Sequence, residues 1–194
     1  VLSRLEEWIY ALNERDHWIF KLYDAANGLW ARLFFGSIRR AAAGFDEPLE
    51  GKGIEGRMRL LTPDDLDAFA ALLAAFDFEY LPPHALDRET ARTALRRKSY
   101  LPLGIFHGDD LVGYLLLRLF APKRAVLGIW SLSAYQNRGL TTAACVAAAE
   151  FTRVHGYPNF ITVPIGNVFS LRVGLAVGWK LLRTNSRFHV LRYF

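Results

Sequence analysis

Cysteine is almost missing: Cys145 is the only one in 194 residues. That excludes an internal disulfide and points to a reducing, cytoplasmic location. Cys145 lies in the alanine-rich run 143–149, where a small apolar thiol is read as packing rather than as a nucleophile. The five histidines are scattered without the spacing of metal ligands, so no metal site is expected. No apolar run approaches the roughly 20 residues that a membrane-spanning helix needs, and no secretory signal pattern is read. Acids are scarce in the second half of the chain. Residues 100–194 carry ten Lys and Arg against three acids, Asp109, Asp110 and Glu150, and no carboxylate stands between Leu111 and Glu150. Such a field suits a polyanion, either a phosphorylated small molecule or RNA.

What is present is apolar and patterned. At 52% hydrophobic the chain can bury a substantial core, and its length fits one domain with an appendage. The pattern most open to a chemical reading is the junction Tyr135-Gln136-Asn137-Arg138-Gly139-Leu140-Thr141-Thr142. It is preceded by the apolar strand-like run 126–132 and followed by a helical pattern to about His155. A glycine there lets the backbone turn sharply and approach a ligand closely. The free amides of the following helix turn, with the helix dipole, favour phosphate, and Arg138, Thr141 and Thr142 add a charge and two hydroxyls. A second junction follows the strand-like run 159–165. Asn167 is a good helix N-cap, the pattern 168–177 a helix, and Gly178-Trp179 its end.

Taken as an ordered pair, these junctions resemble the acyl-coenzyme A site of the GNAT superfamily of N-acetyltransferases. Gln136, Gly139 and Thr141 match the first family motif, Gln/Arg-x-x-Gly-x-Gly/Ala, with threonine in place of the small residue. Its methyl and hydroxyl therefore stand where a cofactor phosphate should approach. Asn167, Ser170, Gly178 and Trp179 keep the spacing of the second motif. The run Asn167-Val168-Phe169-Ser170-Leu171-Arg172-Val173 looks most like the branch that includes ribosomal-protein N-terminal acetyltransferases. The order of elements agrees. A strand at 57–61 leads to Thr62-Pro63-Asp64-Asp65, a helix start with N-cap threonine and N1 proline. Two helices, three strands, a helix, a strand, a helix and two closing strands follow. The resemblance thus implies an α/β chain with the GNAT acyltransferase fold, a mixed, mostly antiparallel twisted sheet flanked by helices, over residues 57–194. Residues 1–56 are read as a helical extension with a glycine-containing linker.

The resemblance implies acetyl-CoA, or another acyl-CoA, as donor and an amine as acceptor. The acceptor can be a small molecule, a peptide or protein N-terminus, or an aminoacyl-tRNA. Transfer from a thioester to an amine requires a base for the amine, donors for the oxyanion and a proton or hydrogen bond for the leaving thiolate. Carried over, residues 129–133 are the splayed strand facing the thioester and pantetheine, with the Leu132 amide, next to Ser133, as oxyanion partner. Gln136, Asn137, Arg138, Gly139, Leu140, Thr141 and Thr142 hold the pyrophosphate, and Asn167 and Ser170 serve the thioester end. Gly174 occupies the position where many members carry a tyrosine acid. Ser170 is then either a donor to the departing sulfur or a small residue packed on the sheet. The base is not identified. Glu79 and His84, between the first two helices of the domain, are candidates for it, though each is read first as an ordinary exposed loop residue. Two rival readings stay open: a non-catalytic acyl-CoA-binding or partner-binding domain, and a transferase of longer acyl chains.

The extension carries an apolar helical stripe, including Trp8, Trp18 and Trp30, with a break expected at Asn27-Gly28. Such a stripe packs on its own domain, pairs two copies as a homodimer, or lies on an anionic membrane surface. Its eight basic and nine acidic residues up to Arg57 argue against strong membrane electrostatics. Ile54-Glu55-Gly56-Arg57, just before Met58, resembles a tag-removal protease site and is read as coincidence.

Overall fold

The computed structural model describes residues 18–76 and 86–194. An eight-stranded sheet, order β1-β2-β3-β4-β5-β6-β8-β7, organises the chain. Two N-terminal helices, α1 (Trp18–Phe34) and α2 (Gly36–Ala43), precede the hairpin of β1 (Asp46–Glu50) and β2 (Glu55–Leu60). Then come α3 (Leu66–Ala74), α4 (Arg88–Arg96), β3 (Tyr100–His107), β4 (Asp110–Phe120) and β5 (Arg124–Ser131). The chain closes with α5 (Leu140–Val154), β6 (Asn159–Pro164), α6 (Val168–Val177), β7 (Lys180–Thr184) and β8 (Phe188–Tyr193). All neighbours are antiparallel except β5 and β6. From β2 onward this is the element order that the sequence implies.

The period-two alternation of the strands sorts side chains into two cores. In β4, Leu115, Leu117 and Leu119 enter the larger core, whereas Tyr114 and Leu116 enter the smaller one. The larger core is covered by α1, α2 and α5, and the smaller by α3 and α4. Helix α5 is seated by an apolar stripe at helical spacing, Leu140, Ala144, Cys145, Ala148, Ala149, Phe151 and Thr152. Cys145 is buried there, and burial pushes its thiol up to about 12, consistent with a packing role.

Two details differ from the sequence reading. First, Asn27-Gly28 does not break α1. The Asn27 side chain donates to the Leu119 carbonyl at 2.9 Å and accepts from the Ala121 amide at 3.2 Å. Its capacity to compete with helix backbone is taken up by the end of β4. Second, residues 46–50, read as part of the appendage, form an edge strand paired with β2 along its length. Its proline, Pro48, is tolerated because an edge strand can spare a backbone donor. The segment before residue 57 packs into the larger core through Ala31, Phe35, Ile38, Ala42, Leu49 and Ile54, the packing on its own domain that its apolar stripe allows. Burying Phe35 and Ile38 contributes about 1.5–3 kcal/mol each. Ile54 and Gly56 are built into this hairpin, with Gly56 against the Phe106 carbonyl, so the protease-like tetrapeptide is an integral part of the sheet. Among the described residues no helix is long and apolar enough to cross a membrane.

Candidate active site

Strands β5 and β6 run side by side only from Ala125–Asn159 to Leu127–Ile161. Beyond that pair they part, while β5 stays bonded to β4 as far as Gly113–Ser131. The sheet therefore opens on one side of β5. The Leu132 amide, expected to face a thioester, donates instead to the Val112 carbonyl at 2.9 Å. Backbone groups alternate sides in an antiparallel ladder. Those turned toward the opening accordingly belong to Ile129 and Ser131, past the last β6 partner. Within the expected strand 129–133 it is thus the Leu132 amide that is turned away, because one position of register decides the side.

A short 3₁₀ turn, Ser133–Tyr135, carries the chain from β5 toward α5. The Gln136 side chain donates to the Ser131 carbonyl at 3.3 Å and ties the loop to the strand end. Asn137 and Gly139 both adopt left-handed backbone, with φ of 59° and 89°. Asparagine and glycine are the residues that accept this conformation at least cost. Helix α5 then begins without a side-chain cap, and its first intrahelical bond runs from the Ala143 amide to the Gly139 carbonyl at 2.9 Å. The amides of Leu140, Thr141 and Thr142 precede that bond and have no carbonyl of an earlier turn to meet. Thr141, expected to obstruct this seat, turns its hydroxyl to Ser131 Oγ at 3.2 Å. Asn137 and Arg138 are exposed, and Gln136, Thr141 and Thr142 half-buried. The donor set, backbone amides at a helix start with exposed Arg138 beside them, fits a phosphate.

Helix α6 starts in a different way. The Asn167 side-chain oxygen accepts from the Ser170 amide at 3.0 Å, the N-cap that the sequence predicts. Both residues are half-buried. The starts of α5 and α6 follow the C-terminal ends of the two parallel strands, so they flank the opening from the same end, where α/β sheets bind ligands. Gly174 is buried facing the sheet, and a Cβ there would lie 2.8 Å from Ile161 Cδ1. A larger residue must displace Ile161, which gives a packing reason for the missing tyrosine. Trp179 is buried against the edge of Tyr193, with ring centroids 5.5 Å apart.

Glu79 and His84 lie outside the described residues. Among the described residues, no group of three or more His, Cys, Asp or Glu side chains could hold a metal ion. The sequence also treated 51–57 as a linker, whereas the structure brings Gly51 and Lys52 onto the loop before α5. The signal was available in Gly51-Lys52-Gly53, a hairpin-turn composition.

Residues 57–180 match the family model of an acetyltransferase (GNAT) domain. Among solved structures, the GNAT domain of S. lividans PAT superposes with a TM-score of 0.67 at 16% identity, covering 76% of this chain and 96% of that one. Mycobacterium smegmatis RimJ, solved with CoA-disulfide, gives 0.63 at 18% identity, covering 76% and 86%. A putative ribosomal-protein-serine acetyltransferase from Vibrio cholerae gives 0.57 at 17%, covering 79% and 99%. At these identities the likeness is one of fold. A search of curated proteins gives no match.

Proposed function

The chain belongs to the GNAT acetyltransferase family, and from that premise we propose that it moves an acetyl group from acetyl-CoA to a primary amine. The reaction is direct attack within a ternary complex, in the cytoplasm. The observation that carries this reading is the opening between β5 and β6, with an uncapped helix start on one flank and Asn167 and Ser170 on the other. The fold likeness to RimJ with CoA-disulfide supports a coenzyme A ligand in that opening.

Acetyl-CoA brings the activated acyl group. The amides of residues 140–142 bind the pyrophosphate, helped by Arg138 and Asn137, while Gln136 holds the loop against the end of β5. Backbone donors of Ile129 and Ser131 orient the carbonyl and stabilise the negative charge that develops on its oxygen as the amine attacks. The C–N bond forms, the C–S bond breaks, and the proton that the amine gives up ends on the departing thiolate, so that free coenzyme A thiol leaves. The Ser170 hydroxyl donates a hydrogen bond to the departing sulfur. Asn167 keeps that turn in place through its cap and offers its Nδ2 amide to the pantetheine. The acceptor we favour is a peptide or protein N-terminus. Residues 167–173 carry the sequence resemblance to that branch, and a putative ribosomal-protein-serine acetyltransferase is among the similar folds.

One observation favours a second reading. Gly174 is packed where a tyrosine acid would stand, as in a domain that binds acyl-CoA without turning it over. A thermal-shift series with acetyl-, butyryl- and palmitoyl-CoA tests the donor. A rise that plateaus at acetyl is expected. A rise that continues with chain length would replace the acetyl donor by a longer one, and no shift with any of them would remove the coenzyme A reading.

A further inference from the structure

The turn that joins β1 to β2 touches the loop before α5. The Gly51 amide donates to the Ile54 carbonyl at 2.8 Å and closes the turn. Gly53 has a φ of 67°, and among the described non-glycine residues only Asn137 has a positive φ. Lys52 and Gly53 therefore form the tip of the hairpin loop, with glycine at the position that takes left-handed backbone. From this tip the Lys52 amide donates to the Arg138 carbonyl at 2.7 Å. The approach is close enough to exclude side chains. A Cβ on Gly51 would stand 2.3 Å from that same carbonyl oxygen, and one on Gly139 would stand 3.2 Å from Gly51 Cα. The next strand continues the contact, since a Cβ on Gly56 would meet Leu140 Cδ2 at 3.2 Å.

The Arg138 carbonyl and the Gly139 amide belong to one planar trans peptide and point in opposite directions. A hydrogen bond on that carbonyl fixes the peptide plane and aims the Gly139 N–H away from the hairpin. We propose that the Gly51–Lys52 turn is a positioning element for the phosphate-binding loop, clamping the Arg138–Gly139 peptide in the orientation that receives the acyl donor. The inference rests on the acyl-CoA reading above. It assigns residues of the N-terminal segment a share in donor affinity through backbone contact, without their touching the reacting atoms.

Two variants of the full chain test it. Gly51→Ala keeps every charge but places a methyl against the Arg138 carbonyl. Lys52→Pro lies outside the β1–β2 ladder, so it spares the strand pairing, but it removes the amide that makes the bond. Each is titrated with coenzyme A by calorimetry, assayed for acetyl-CoA KM and kcat, and melted. The expected result is a rise in Kd and KM of about tenfold, the worth of one lost hydrogen bond, with kcat unchanged. Should Gly51→Ala fail to fold, Lys52→Pro carries the test. Variants that melt lower but bind coenzyme A as the wild type does would make the turn merely structural and overturn the proposal. So would a fall in kcat at unchanged KM and Kd. A wild-type protein that binds no coenzyme A would instead remove the reading beneath it, and the proposal with it.

Discussion

Helices α5 and α6 each leave the C-terminal end of a parallel strand, yet α6 satisfies part of its first turn through the Asn167 side chain, whereas α5 starts from left-handed Gly139 with no side-chain cap. Their anchoring differs in the same sense. Helix α5 buries seven residues, but in α6 only Gly174 is fully buried. A helix held by burial can leave its first amides unpaired for a ligand. A helix with little burial depends more on its cap, which fixes residues beside the opening. The contrast separates the binding seat from the element that presents Ser170.

The largest effect in this comparison is expected from Gly139→Glu. It puts a carboxylate at the helix start in strained left-handed backbone, at a cost of about 1–3 kcal/mol. Coenzyme A affinity should fall more than about 100-fold by calorimetry, since the charge opposes phosphate at the positive end of the dipole, while circular dichroism stays folded. Retained binding would place the phosphate elsewhere.

A third helix start sharpens the contrast, because the 3₁₀ turn Pro63–Asp65 that leads into α3 is held by side chains. Before α3, Thr62 and Asp65 form a reciprocal capping box, and Asp65 also binds Arg59 at 2.7 Å. The hydrogen bond from Arg59 holds the Asp65 carboxyl down to about 2, from an ordinary 3.8. A depressed carboxyl contributes stability that is complete above its ordinary value and is lost as pH falls toward about 2. Asp65→Asn should therefore cost about 1–2 kcal/mol at neutral pH in chemical denaturation. It should also flatten the acid loss between pH 3.8 and about 2. Coenzyme A affinity should not change.

Ser170→Ala should lower turnover by about tenfold, the value of one hydrogen bond to the leaving thiolate, at unchanged coenzyme A affinity. An unchanged rate would make Ser170 a packing residue. The smallest effect is expected from Asn167→Ala, about 1 kcal/mol of stability for a lost N-cap, seen in denaturant midpoints. A loss well above that would show that α6 is seated by more than its cap.

The parts of this protein that could be read from sequence are those whose chemistry is local. A glycine before an alanine-rich helix, an asparagine three residues before its capped amide, and Gly178 after the last turn of α6 each state their backbone need directly. Hidden parts depend on distant partners. The strand 46–50, Asp-Glu-Pro-Leu-Glu, has poor strand propensity and exists because β2 pairs with it and Leu49 is buried. Asn27 looked like a helix break because its partners lie more than 90 positions away in the chain. Leu132 looked like the oxyanion donor because nothing in a single strand reveals that Val112 takes its amide. The hairpin turn at Gly51-Lys52-Gly53 was legible in its composition, but its contact with the Arg138 carbonyl was hidden for the same reason.

The most direct test of acetyl transfer is free-thiol release from acetyl-CoA in the presence of pooled peptides, small amines and aminoacyl-tRNA, with donor affinity recorded in their absence. We expect release that requires an acceptor and is strongest with the peptides. Tight donor binding with no release against any acceptor in the pools would contradict a transferase and leave an acyl-CoA-binding domain.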